Sequence, residues 1–142
     1  ARRTVELGGD GCRLEIPRPA IVILLDTNAL IWIEQAHART RRLVAGGRRL
    51  YVSPATLLEL QFLHEAGKIR LTATVQSIID DDRWIVDDPP AASWFVQALD
   101  LTWTRDPFDR LLVAHAQVRG WRLATADGHL VERLGAAACI EL

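Results

Sequence analysis

Apolar and polar positions follow two rhythms along this chain. Short unbroken apolar runs alternate with longer stretches of helical spacing. Ile21–Leu25 (IVILL) is the first such run and reads as a buried strand. From Ala29 to about Ala45 the spacing is helical, and Gly46–Gly47 mark its end. Arg49–Ser53 predicts a second strand. Ser53 suits an N-cap and Pro54 a first helical position, opening a helix to Ala66 that stops at Gly67. Further helices are predicted over Thr72–Asp81 and Ala91–Asp100, with a strand at Trp84–Val86 and a break at Pro89–Pro90 between them. Asp106 and Pro107 open a helix to Arg119. Trp121–Thr125 then reads as a strand, Gly128–Leu134 as a short helix, and Cys139–Leu142 as a last strand.

Strands separated by helices of this length predict an α/β fold of βαβ units with a mostly parallel sheet and right-handed crossovers. Residues 1–20 do not join this scheme. TVEL and CRLEI flank the glycine turn GGDG, the pattern of a β-hairpin. The expected organisation is an N-terminal extension over 1–20, as hairpin or flexible arm, and one α/β domain over 21–142.

Composition narrows the class. With 142 residues, 49% hydrophobic and 25% charged, the chain predicts one globular domain with a substantial core. Net charge is −1, so no global basic surplus advertises nucleic acid, although RTRR at Arg39–Arg42 and the pair Arg48–Arg49 are local basic runs. Cys12 and Cys139 make neither a zinc site nor a disulfide framework, and they read as free thiols in a reducing compartment. The longest apolar run, Ala20–Leu25, is too short for a bilayer, and no signal peptide is visible. A cytoplasmic protein without membrane contact is the expectation.

The acids carry the chemistry. Parallel sheets bind ligands outside the carboxyl ends of their strands. Asp26 ends the first strand there, where aspartate is otherwise disfavoured. Glu59 lies one turn or so into the helix after the second strand, Asp109 in the first turn of DPFDRLLVAHA, and Asp127 directly after WRLAT. Each acid alone is compatible with helix capping. Four converging carboxylates repel one another, and a hard divalent cation with oxygen ligands resolves the conflict. Such a cation polarises phosphate and lowers the pKa of water, which suits phosphodiester hydrolysis. His115 reads as a core or surface histidine. Asp80–Asp82 and Asp87–Asp88 read as solvated loop charges, and most tryptophans as core.

LLDTNALIW (Leu24–Trp32), SPATLLELQFLHEAGKI (Ser53–Ile69), RDPFDRLLVAHA (Arg105–Ala116) and LATADGHL (Leu123–Leu130) together resemble the PIN-domain family, most of all the VapC-type ribonuclease toxins. The resemblance runs from about Val22 to Leu142. It implies a three-layer α/β/α domain and an endoribonuclease dependent on Mg²⁺ or Mn²⁺. The family's acidic quartet falls on Asp26, Glu59, Asp109 and Asp127 as metal ligands and catalytic residues. It also implies supporting roles for Asn28 and Thr125. Asp106 more naturally caps the helix and braces the site. Arg105 and Arg110 flank the site as candidate phosphate grips or salt-bridge partners. Expected partners are an RNA substrate, a cognate antitoxin and a second copy of the chain. The sequence departs from the family where a lysine gives way to Leu63 and a histidine to Thr104.

Rival readings fare worse. A haloacid-dehalogenase-like phosphatase resembles DxDxT at this point, but Asn28 and Leu30 stand at the third and fifth positions. A receiver domain needs a lysine near a later strand, and the single lysine, Lys68, follows a helix. A non-catalytic PIN-fold protein acting through partner or RNA binding is disfavoured because no quartet acid is lost.

Overall fold

The computed structural model describes residues 2–6, 13–17, 21–71 and 74–142. Two antiparallel strands, β1 (Arg2–Glu6) and β2 (Arg13–Pro17), form a separate two-stranded sheet in which Val5 is in register with Leu14. The glycine turn that sequence placed between them lies outside the described residues.

The central sheet has five strands: β3 (Val22–Leu25), β4 (Arg49–Val52), β5 (Ile85–Val86), β6 (Arg122–Thr125) and β7 (Cys139–Glu141). They lie in the order β5-β4-β3-β6-β7, every pair parallel. Because successive side chains on a strand face opposite sides, the sheet feeds two cores. Ile23, Leu25, Leu50, Val52 and Ala124 pack on one side with α1 (Thr27–Glu34), α2 (Arg41–Ala45), α3 (Pro54–Glu65) and α4 (Val75–Ile79). Leu24 and Leu123 pack on the other with α5 (Ala91–Leu99), α6 (Pro107–Arg119) and α7 (Gly128–Leu134). The result is the three-layer α/β/α arrangement.

Local signals explain most element boundaries. Ser53 accepts the Ala55 amide at 3.2 Å and Asp106 the Phe108 amide at 2.8 Å, each ahead of a proline in the first turn. Gly120 closes α6 at φ 68°, the left-handed conformation that favours glycine.

Three expectations are corrected. The helix foreseen over Ala29–Ala45 is broken: α1 ends at Glu34, Ala36 turns back at φ 52°, and a 3-10 turn over Ala38–Thr40 leads into α2. The His37 ring caps that turn by accepting the Arg39 amide at 3.2 Å. The helix expected from Thr72 begins only at Val75, capped by Thr74, and Thr72–Ala73 lie outside the described residues. Asp81 and Asp87 are not solvated loop charges. Asp81 pairs with Arg83 at 2.7 Å, and Asp87 takes Arg119 at 2.8 Å and His115 Nε2 at 2.7 Å. Trp84 and Trp94 are core residues, whereas Trp32 is only half-buried and stacks on His37. Cys139 is a free, buried thiol. Among the described residues no helix is long and apolar enough to cross a membrane.

Candidate active site

Strand order fixes where ligands can reach the sheet. The chain winds from β3 outward to β4 and β5, then crosses back to place β6 and β7 on the other side of β3. The reversal lies between β3 and β6, and a crevice opens beyond their carboxyl ends. Asp26 follows β3 directly, and its amide donates to Ala124 O on β6 at 3.0 Å. Asp127 follows β6 after one intervening residue, its amide donating to the Thr125 hydroxyl at 3.0 Å. Two acids therefore reach the crevice because their strands end there.

The other two arrive on helices. Glu59 lies on α3 and Asp109 in the first turn of α6. Phe62 and Phe108 meet edge to face at 5.7 Å, which holds these helices together beside both acids. The four acids and Asp106 line one cleft of about 250 Å³ with Thr27, Asn28, Leu63, Leu112 and Leu130. Five carboxylates and no cationic side chain line it. Leu63, standing where the resemblance implies a lysine, belongs to this lining, so among the described residues nothing in the wall offsets the negative charge.

Electrostatics follows from this crowding. Burial raises the Asp109 carboxyl to about 7, reinforced by Asp106, Asp127, Glu59 and Asp26. Burial also raises Asp26, which is 5% exposed, against the opposing pull of the Thr125 hydroxyl and Ala29 amide; Asp127 pushes it further up. Glu59 is raised by burial and by repulsion from Asp106 and Asp26. The Thr27 hydroxyl lies near enough to Glu59 to offset part of that shift. It remains outside hydrogen-bond geometry and is buried without a partner.

Capping and clustering coexist here. Asp26 accepts the Ala29 amide at 2.6 Å, Asp106 the Phe108 and Asp109 amides, and Asp127 the His129 amide at 2.9 Å. Asp109 and Glu59 cap nothing. Asn28 is exposed in the cleft wall, while Thr125 is fully buried beneath it. Arg105 is exposed at the entrance to α6. Among the described residues Arg110 makes no ion pair; its Nε donates to Thr104 O at 2.7 Å and fastens the loop before α6.

The donor set suits a hard divalent cation. Every polar group lining the cleft offers oxygen or amide, with no thiolate or imidazole, and the Thr27 hydroxyl is an orphan there. Among the described residues no three His, Cys, Asp or Glu side chains already form a ligand cluster that could hold an ion.

An α/β/α sheet with acids at this switch point defines a class. Residues 23–135 match the family model of the PIN domain, and the chain belongs to the PIN-domain family. It is 30% identical over 116 residues to Ribonuclease VapC22 of Mycobacterium tuberculosis (strain ATCC 25618 / H37Rv), across 76% of this chain and 88% of that protein. Its fold is similar to VapBC2 from Rickettsia felis bound to a DNA fragment from their promoter, with TM-score 0.60 and 19% identity over 85% of this chain and 98% of that one. It is also similar to a toxin-antitoxin complex from Klebsiella pneumoniae, with TM-score 0.62 and 14% identity over 84% and 99% of the two chains.

Proposed function

We propose that this PIN-domain protein is a divalent-metal-dependent endoribonuclease and the toxin of a toxin–antitoxin pair. The observation that carries the reading is the cleft at the sheet's switch point, lined by five carboxylates and, among the described residues, by no cationic side chain. The 30% identity to a ribonuclease over most of both chains supports it.

Asp26, Glu59, Asp109 and Asp127 would hold Mg²⁺ or Mn²⁺, with Asn28 and Thr125 in support. When bound, such a cation neutralises charge on the phosphate and makes water more acidic. The chain's own residues do the rest. Asp109, whose carboxyl is raised to about 7, would have to release its proton to serve as a ligand. The Thr125 hydroxyl, accepting from the Asp127 amide, lies close enough to Asp26 to draw its carboxyl down against burial. Asp106 fixes the first turn of α6 and so the position of Asp109. Arg105, exposed one residue before Asp106, would meet a phosphate.

Purified protein incubated with a structured RNA pool and Mg²⁺ or Mn²⁺ should cleave it. EDTA and Asp26→Ala should each abolish cleavage. Cleavage that persists in either control would remove the metal mechanism. Metal binding without cleavage of any RNA would favour the non-catalytic PIN-fold reading. Two partners belong to the same proposal. A cognate antitoxin should co-purify when both neighbouring genes are expressed. Phe95, Val96 and Leu99 of α5 are more than half exposed and support a homodimer, which light scattering would detect. A cytoplasmic location goes with this function.

A further inference from the structure

Trp103 stands apart from the core tryptophans. Trp84 donates its indole N–H to Ile78 O at 2.8 Å and Trp94 to Leu111 O at 2.7 Å, as buried tryptophans should. The Trp103 N–H meets no acceptor among the described residues, and its ring is only partly buried, against the α5–α6–α7 core. Two groups from one face of α7 meet that ring. His129 approaches edge to face at 5.6 Å, and the Arg133 guanidinium lies 5.8 Å from its centre.

The location gives this cluster meaning. His129 is the residue whose amide Asp127 caps, so it sits at the cleft end of α7. Trp103 precedes Asp106 by three residues in a loop that is tied twice. Arg110 Nε holds Thr104 O at 2.7 Å, and the Asp106 amide donates to the Thr104 hydroxyl at 3.3 Å. Trp103 and His129 thus meet where the loop before α6 approaches the start of α7, within three residues of Asp106 and two of Asp127, and Arg133 reaches the ring from the last turn of α7. Trp121, by contrast, lies at the opposite, amino end of β6 and is stacked on Tyr51 at 4.4 Å.

We propose that Trp103, with His129 and Arg133 beside it, is the shelf on which an unpaired RNA base stacks as the adjoining phosphodiester enters the acidic cleft. This rests on the ribonuclease reading above. Stacking on an aromatic face is open to every base, and exposed Arg133 and Arg105 meet the backbone charge that the acidic cleft repels. A paired base presents no free face, so the shelf selects single-stranded segments of RNA. It sets substrate choice and takes no part in bond cleavage.

The test uses the full chain carrying Asp26→Asn, to stop cleavage, with Mg²⁺ and short single-stranded RNA bearing one 2-aminopurine. That base dims when it stacks on an aromatic ring and brightens when it is merely splayed out. Quenching is expected, with affinity falling about tenfold in Trp103→Leu and largely restored in Trp103→Phe. In the cleaving background, Trp103→Leu should raise KM about tenfold with kcat nearly unchanged. His129→Ala, exposed and outside the core, should weaken binding independently of any folding defect at Trp103. Brightening, or parental affinity in both Trp103→Leu and His129→Ala while metal-dependent cleavage persists, overturns the shelf and leaves the nuclease intact. Absence of both binding and cleavage in the parent overturns the nuclease reading and the shelf with it.

Discussion

A carboxyl raised to about 7 makes Asp109 a residue that works against its own fold. Its folded value lies above the value it has in the unfolded chain, near 3.8. The folded state therefore holds the proton more tightly, and ionisation costs stability. In the absence of metal, stability should fall as pH rises from about 4 through about 7, then level off. Denaturant titration across that window checks the sign. Divalent metal should reverse the trend and should raise the melting temperature more at about pH 8 than at about pH 5, because binding displaces protons. Asp109→Asn removes the repelling charge. The variant should match or exceed the parent in metal-free thermal stability at neutral pH while losing metal binding and RNA cleavage. A variant both less stable and active would show that the clustered charge is not what defines the site.

At the scale of elements, the helices carrying the site are secured at both ends. Asp106 caps the start of α6, and near its end Arg119 and His115 grip Asp87 beyond β5. Burial alone would raise Asp87, but the hydrogen bonds from Arg119 and His115 hold it below the usual carboxylate range. Burial lowers His115, against the pull of Asp87, so the ring is neutral at physiological pH. Asp87→Ala should cost about 2 kcal/mol by stranding two donors, seen as a melting temperature several degrees lower. The gain from Asp87 is present above the unfolded carboxylate value and is lost in acid, opposite in sign to Asp109. In the α1–α2 corner, Ala36 at φ 52° occupies a conformation that costs a residue with a Cβ about 1 kcal/mol. Ala36→Gly should recover about that much, a gain of roughly 3 °C.

These elements also show what was legible beforehand. Ser53–Pro54, Asp106–Pro107 and Gly120 act within a turn of themselves, so capping chemistry announced α3 and α6 in the bare sequence. The four acids were legible because strand ends can be read locally and parallel sheets place their ends together. The break after Glu34 was not, since nothing in the apolar spacing reports that Ala36 turns left-handed. Asp87 was misread because its partners lie on α6, reachable only through the fold. The bond from Arg110 Nε to a backbone carbonyl six residues upstream could not be read from spacing either. With most of the five tryptophans read as core, Trp103 could not be singled out, because sequence carries no sign of which indole N–H lacks an acceptor.

The whole molecule divides its stability and its chemistry between different parts of one sheet. Both faces are covered by helices and supply the apolar burial that holds the fold. The carboxyl edge of β3 and β6 carries charge that subtracts from it. A large core can sustain such a cluster, and filling the cleft with metal should turn a local deficit into a gain.

The position of β6 beside β3 has a last consequence, in the time it takes to make the protein. Leu25 lies against Ala124, so the central strand of the sheet waits for a neighbour that is synthesised almost a hundred residues later. Until then β3 has an open edge, and Asp26 stands without Asp109 or Asp127. The cleft cannot be assembled from an N-terminal portion that stops short of Leu130, the last residue of its lining. Whatever the acids do can begin only once that stretch has left the ribosome and docked.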